Sequence, residues 1–182
     1  MIYVFLANGF EEIEALAVVD VLRRAELDVV TVGVNGDFAI GSHQIAVACD
    51  IRENNLILDD KVEAIVLPGG MPGTLNLEKS PVVQKAIDWA VENDKLVCAI
   101  CAAPSILGHK GLLDGKEATC FPGFEEELSS AKISKSFVVK DGNFITAKGM
   151  GSAIEFGLQI AEILTNPLEA KKIRASLQIY NG

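Results

Sequence analysis

Three groups of residues in this sequence have types and spacings that could do chemistry. They are Glu14 within NGFEEIE, the run Gly69–Gly70–Met71–Pro72–Gly73, and Cys101 at the end of LVCAIC. Cys101 closes a strand-like apolar run, and a helix-like stretch with Pro104 in its first turn begins within a residue or two. Ala99, Ala102 and Ala103 leave room for a tight turn between them. That is the setting of a nucleophile elbow. Backbone N–H groups at the start of the following helix would stabilise a thiolate and lower the thiol pKa. The competing reading is a cysteine packed as a small hydrophobe, and spacing alone leaves both open.

Glycines at 69 and 70 let backbone N–H groups approach an anion closely, or merely make a turn. Glu11, Glu12 and Glu14 could all be solvated carboxylates favoured at a helix N-terminus. Their helical spacing equally allows Glu14 to face inward while Glu11 and Glu12 face out. Cys98 and Cys101 form a C-x-x-C, but three extended residues separate their Cα atoms by roughly 10 Å, beyond disulfide reach. Cys98 is therefore read as core. No second Cys or His pair stands at zinc-ligand spacing, so no metal is expected. His109 lies eight positions beyond Cys101, too far along a helix to serve the thiol, and His43 reads as a surface residue.

Positioning these groups requires alternating strands and helices. Strands are predicted at 2–7, 28–34, 62–68, 95–100 and 117–120, and a short hairpin over 38–50. Helices are predicted at 11–27, 80–93, 102–113 and 152–166, with Ser80 as N-cap and Pro81 at the first helical position. Asp141–Gly142 signals a hairpin within 137–148. Such alternation implies an α/β fold, a mainly parallel sheet with helices on both faces. Ligands in such sheets bind outside the carboxyl ends of the strands, and that rule gathers Glu14, the glycine run and Cys101 on one edge.

The 182 residues suffice for a single domain spanning 1–182. A net charge of −9 without a long basic run argues against nucleic acid and anionic membranes as partners. The N-terminal apolar run of six residues lacks the flanks of a signal peptide, and no run is long enough to span a bilayer. The four cysteines read as free thiols in a reducing cytoplasm. The first helix carries Ile13, Leu16, Ala17, Val18, Val19, Val21 and Leu22, more apolar surface than one core contact requires, which implies a homodimer.

Together GFEEIEA, VLPGG, AICAAP and GMGSAIEFGLQI resemble the ThiJ/PfpI superfamily, in the branch of the parkinsonism-associated protein deglycase and its bacterial homologues. The resemblance runs through to the terminal IYN. It implies a flavodoxin-like three-layer sandwich, usually dimeric. It also implies a reactive cysteine at Cys101, a partner glutamate at Glu14 and a backbone anion site at Gly69, Gly70 and Ala102. No cofactor is implied. Relatives are described as glyoxalases, deglycases, peroxide-responsive proteins and chaperones. Members with efficient glyoxalase chemistry carry a histidine in a T-x-H-P stretch. Here it reads Thr119–Cys120–Phe121–Pro122, so Phe121 stands at the histidine position, and an arginine found near His43 in some relatives is also absent. The leading expectation is addition of the Cys101 thiolate to a small electrophilic carbonyl such as methylglyoxal or a glycated adduct. Glu14 would shuttle the proton, and the N–H groups of Gly70 and Ala102 would hold the oxyanion. The alternative is a non-enzymatic oxidative-stress sensor or chaperone acting through oxidation of Cys101. A cysteine amidase or peptidase ranks third, for want of a histidine.

Overall fold

The structure is a computed structural model that describes residues 1–179; Tyr180 and Asn181 of the terminal IYN lie outside the described residues. Eleven strands follow in chain order: β1 Ile2–Leu6, β2 Val29–Gly33, β3 Phe38–Ile40, β4 Ala46–Ala48, β5 Ile51–Arg52, β6 Ala64–Leu67, β7 Leu96–Ile100, β8 Glu117–Ala118, β9 Lys132–Ile133, β10 Val138–Asp141 and β11 Phe144–Ala147. The α-helices are α1 Glu12–Arg24, α2 Gly73–Lys79, α3 Pro81–Glu92, α4 Pro104–His109, α5 Ala153–Leu164 and α6 Pro167–Ser176.

Seven strands form the central sheet in the order β10-β11-β7-β6-β1-β2-β5. All pairs are parallel except β10 with β11. The period of two along each strand divides the core. Ile2, Val4 and Leu6 face the layer of α1, α5 and α6, whereas Tyr3, Phe5 and Ala7 face that of α2, α3 and α4. This is the flavodoxin-like three-layer α/β sandwich expected. The chain leaves β1 toward β2 on one side and returns to β6 on the other, so the strand order reverses between β1 and β6. Such a switch point opens a crevice at the carboxyl ends of the strands.

Local signals explain most elements. Ser80 caps α3, accepting a hydrogen bond from the Val83 N–H. Gly142, at φ +59°, turns the β10–β11 hairpin as Asp141–Gly142 implied. The predicted 102–113 helix is shorter, ending at His109, because Gly111 at φ +68° turns the chain away. Two helices escaped the sequence reading. Helix α2 begins at Gly73 and contains Thr74 and Asn76, weak helix formers that read as loop. Asn166, taken as the end of the 152–166 helix, instead caps α6 by accepting the Glu169 N–H, with Pro167 at the first helical position.

Candidate active site

Cys101 leaves β7 in the left-handed region, at φ +66°. A non-glycine residue rarely adopts this conformation, and it throws the side chain out of the strand line. The Cys101 N–H donates to the Ala147 carbonyl at 2.9 Å, and the Cys101 carbonyl accepts the Phe121 N–H at 2.8 Å, so the elbow is fastened on two sides. Gly69, at the end of β6, lies against it. A Cβ there would stand 2.6 Å from the Cys101 Cβ and 2.6 Å from Glu14 Oε2, a space only glycine can leave. Gly70, at φ +91°, then turns its N–H toward the Cys101 sulfur. Cys98, three residues back on the same strand, is fully buried among core side chains.

Glu14 projects from the first turn of α1 and is 1 % exposed. Its Oε2 accepts the Gly69 N–H at 3.0 Å, and the Cys101 thiol and the Met150 N–H also reach the carboxyl. Burial nevertheless prevails and, helped by the neighbouring Glu11 charge, pushes Glu14 up to about 7. The Cys101 thiol is pushed up to about 12, first by burial and then by the Glu14 charge and hydrogen bond, against the Ala102 and Gly70 N–H groups that lower it. This reverses the lowered thiol pKa expected from an elbow alone, because that expectation counted the helix and neither the burial of the sulfur nor the facing carboxyl. Thiol and carboxyl titrate as one pair. Its first proton leaves near neutrality and its second only in strong alkali. Gly69 departs from its expected anion-donor role: its N–H is taken by Glu14, leaving Gly70 and Ala102 directed at the sulfur.

Glu12 corrects a second expectation. It does not face solvent but is buried, 3 % exposed, beneath the β3–β4 hairpin. Its oxygens accept the His43 N–H at 2.8 Å and lie 2.9 Å from His43 Nδ1 and 3.2 Å from Ser42 Oγ. Gly41 makes room, since a Cβ there would meet Glu12 Oε1 at 2.2 Å. Burial would raise this carboxyl, but hydrogen bonds from the His43 ring and from backbone N–H groups outweigh it and hold Glu12 at about 2. His43 is raised in return, by its hydrogen bond to Glu12 and then by the Glu11 and Glu12 charges. Among the described residues, Glu11, Glu12 and His43 alone bring three ligand-type atoms within 4.8 Å, and there His43 is paired with Glu12.

Glu11, Glu14, His43, Cys101, Phe121 and Phe124 line one cavity of about 390 Å³, together with Gly70, Met71, Ala102 and Met150. The sequence-selected residues thus share one cavity, apart from Gly69 directly behind it. Sequence reasoning missed Phe124 and the Lys148–Met150 turn. The turn follows β11, which runs parallel to β7, so the carboxyl-end rule would have found it had 137–148 not been read only as a hairpin.

The chain matches the model of the DJ-1/PfpI family over residues 1–163. It is 36 % identical over 182 residues to protein dj-1beta of Drosophila melanogaster, covering 98 % of this chain and 97 % of the fly protein. It is 30 % identical over 159 residues to the glutathione-independent glyoxalase DJR-1.2 of Caenorhabditis elegans, covering 86 % of this chain and 84 % of that one. The crystal structure of Drosophila melanogaster DJ-1beta superposes with a TM-score of 0.92 at 35 % identity, over 99 % of this chain and 98 % of the other. Fold, site geometry and sequence similarity agree: the chain belongs to the DJ-1/PfpI family.

Proposed function

We propose that this protein converts small reactive carbonyls, α-oxoaldehydes or their early adducts, by cysteine-dependent, glyoxalase-like chemistry. One observation carries this reading: a thiol on a strained elbow faces a carboxyl that titrates near 7, in a cavity with two N–H groups directed at the sulfur. The similarity to a glutathione-independent glyoxalase supports it. In the reading, the Glu14 carboxylate takes the Cys101 proton as sulfur bonds to the aldehyde carbon. It then returns that proton to the carbonyl oxygen, giving a hemithioacetal. Glu14 next removes the C1 hydrogen as a proton and delivers it to C2, while the O1 hydroxyl proton passes to the C2 oxygen, leaving a 2-hydroxyacyl thioester. Water hydrolyses the thioester to the 2-hydroxy acid and frees the thiol. An acid with a pKa near the working pH suits both directions of transfer. Turnover of methylglyoxal to lactate by the pure protein, lost in Cys101→Ser, tests this. A protein that is oxidised at Cys101 by peroxide yet turns over no oxoaldehyde would instead be the sensor or chaperone.

The reading includes a homodimer. On α1, Ile13 is 51 % and Leu16 38 % exposed, while Val18, Val21 and Leu22 are buried, so the apolar surplus is left on the outside. Sedimentation at micromolar concentration should give twice the chain mass of 19.4 kDa; a 19.4 kDa species would remove the dimer from the proposal.

A further inference from the structure

A second cavity, of about 260 Å³, adjoins the one holding Cys101. The two share Phe121 and Met150, side chains 47 % and 53 % exposed that stand between them. Phe121 lies close over the backbone, its Cδ2 being 3.2 Å from where a Gly149 Cβ would stand. Phe137, Pro122 and Lys148 complete the apolar-walled second cavity. Lys148 follows Ala147, whose carbonyl holds the Cys101 N–H, so both cavities open on the same sheet edge.

Charge divides the two. The Cys101 cavity is lined by Glu11 and Glu14, and its His43 is held by Glu12. The second cavity has no acidic lining residue, and its one basic side chain is Lys148. The Lys148 ammonium lies 5.6 Å from the centroid of the Phe137 ring and has no carboxylate partner among the described residues. Glu125, whose charge reaches the same neighbourhood through Cys120, is engaged with the Gly123 N–H at 2.7 Å. Size adds to charge. Methylglyoxal has about five non-hydrogen atoms, each filling on the order of 20–30 Å³, and would leave most of 390 Å³ empty.

We propose that the substrate class is an oxoaldehyde with an apolar, preferably aromatic, body and a distal anion. Its carbonyl sits at Cys101, its body crosses Phe121 and Met150, and its anion pairs with Lys148. This deepens the proposed function and rests on Cys101 being the reacting thiol.

Two alkylating probes with the same warhead test the subsite without requiring turnover: iodoacetanilide, and its para-carboxylate, 4-(iodoacetamido)benzoate. Rates at Cys101 are read by mass spectrometry, with iodoacetamide as the control for an intact elbow and glutathione as the free-thiol reference. Relative to glutathione, the carboxylate probe should be favoured about three- to fivefold over the neutral one, as for a partly exposed ion pair. Lys148→Met should abolish that preference and Lys148→Glu reverse it, with the iodoacetamide rate unchanged in both. A ratio equal to that of glutathione, or one indifferent to Lys148→Met, overturns the inference. Oxoaldehyde turnover measured alongside separates the two claims. Turnover with a Lys148-indifferent ratio sinks only the subsite, and a Lys148-dependent ratio without turnover sinks only the carbonyl chemistry.

Discussion

Glu12 and Glu14 stand two residues apart in the same helical turn, and both are almost fully buried. One carboxyl is held at about 2 and the other is pushed up to about 7. The α1 N-terminus does not distinguish them. Glu14 lies deeper in the fold than Glu12, and the company of the two differs as well. Glu12 meets a histidine ring and several N–H donors from a hairpin folded over it. Glu14 meets a thiol and two N–H groups, with Glu11 adding a like charge. A buried carboxylate is thus stable or poised according to its donors. Glu12 anchors the hairpin, and Glu14 is left able to move a proton.

The largest separation of the two should come from substitution by glutamine. Glu14→Gln should lower oxoaldehyde kcat/KM by about 10²–10⁴-fold, the worth of a positioned acid–base group. Glu12→Gln should change it by less than about tenfold. The parent rate should rise with pH through about 7 as the pair loses its first proton, and Glu14→Gln should flatten that rise. Removing the carboxylate should also let the Cys101 thiolate, followed by its ultraviolet absorbance, form at lower pH than in the parent. A thiolate that forms only at higher pH in Glu14→Gln would show that the neutral acid supports it, contrary to the charge opposition described above.

Stability should divide the two carboxyls with opposite signs. The lowered Glu12 pKa contributes stability that is present above the ordinary carboxylate value and lost as pH falls toward about 2. The raised Glu14 pKa works the other way. Its contribution is full below the ordinary value and is lost as pH rises to about 7. Urea midpoints should therefore fall between about pH 4.5 and 7 in the parent more than in Glu14→Gln. At neutral pH, Glu12→Ala should cost about 2 kcal/mol, as expected when charged hydrogen bonds are removed. Equal acid sensitivity of Glu12→Gln and the parent would show that the hairpin does not depend on that carboxylate.

The same pair shows what the sequence could reveal. The elbow at Cys101 was legible because strand run, small residues and Pro104 are contiguous, and Glu14 because it opens a helix after a strand. Three glutamates in four positions look alike, however, until the hairpin carrying Ser42 and His43 folds back across them, a contact about thirty residues away in sequence. The raised Cys101 pKa was hidden for the same reason, since the burial that chiefly raises it and the Glu14 carboxyl that adds to it both arise from tertiary packing. Helix α2 was lost to poor local propensity that packing of Leu77 overrides.

A smaller effect is expected at Phe121, an apolar side chain at a place in the cavity wall where a proton carrier could stand. Its N–H donates to the Cys101 carbonyl and its ring borders the cavity, so a side chain at 121 stands beside the reacting thiol. Glu14 titrates at about 7, and His43 is raised and held by Glu12. A histidine at 121 would supply a second proton carrier across the cavity and remove part of its apolar wall. Phe121→His should therefore raise methylglyoxal turnover by about tenfold, less than the roughly 10²–10⁴-fold worth of a sole acid–base group because Glu14 is already at work. Turnover of aryl oxoaldehydes should gain less, since these lose contact with the ring as they gain the acid. Equal gains for both substrates would mean that the Phe121 wall contributes nothing to selectivity. If neither rate moves while Cys101 alkylation is unchanged, position 121 takes no part in the proton transfers, and Glu14 handles them without help.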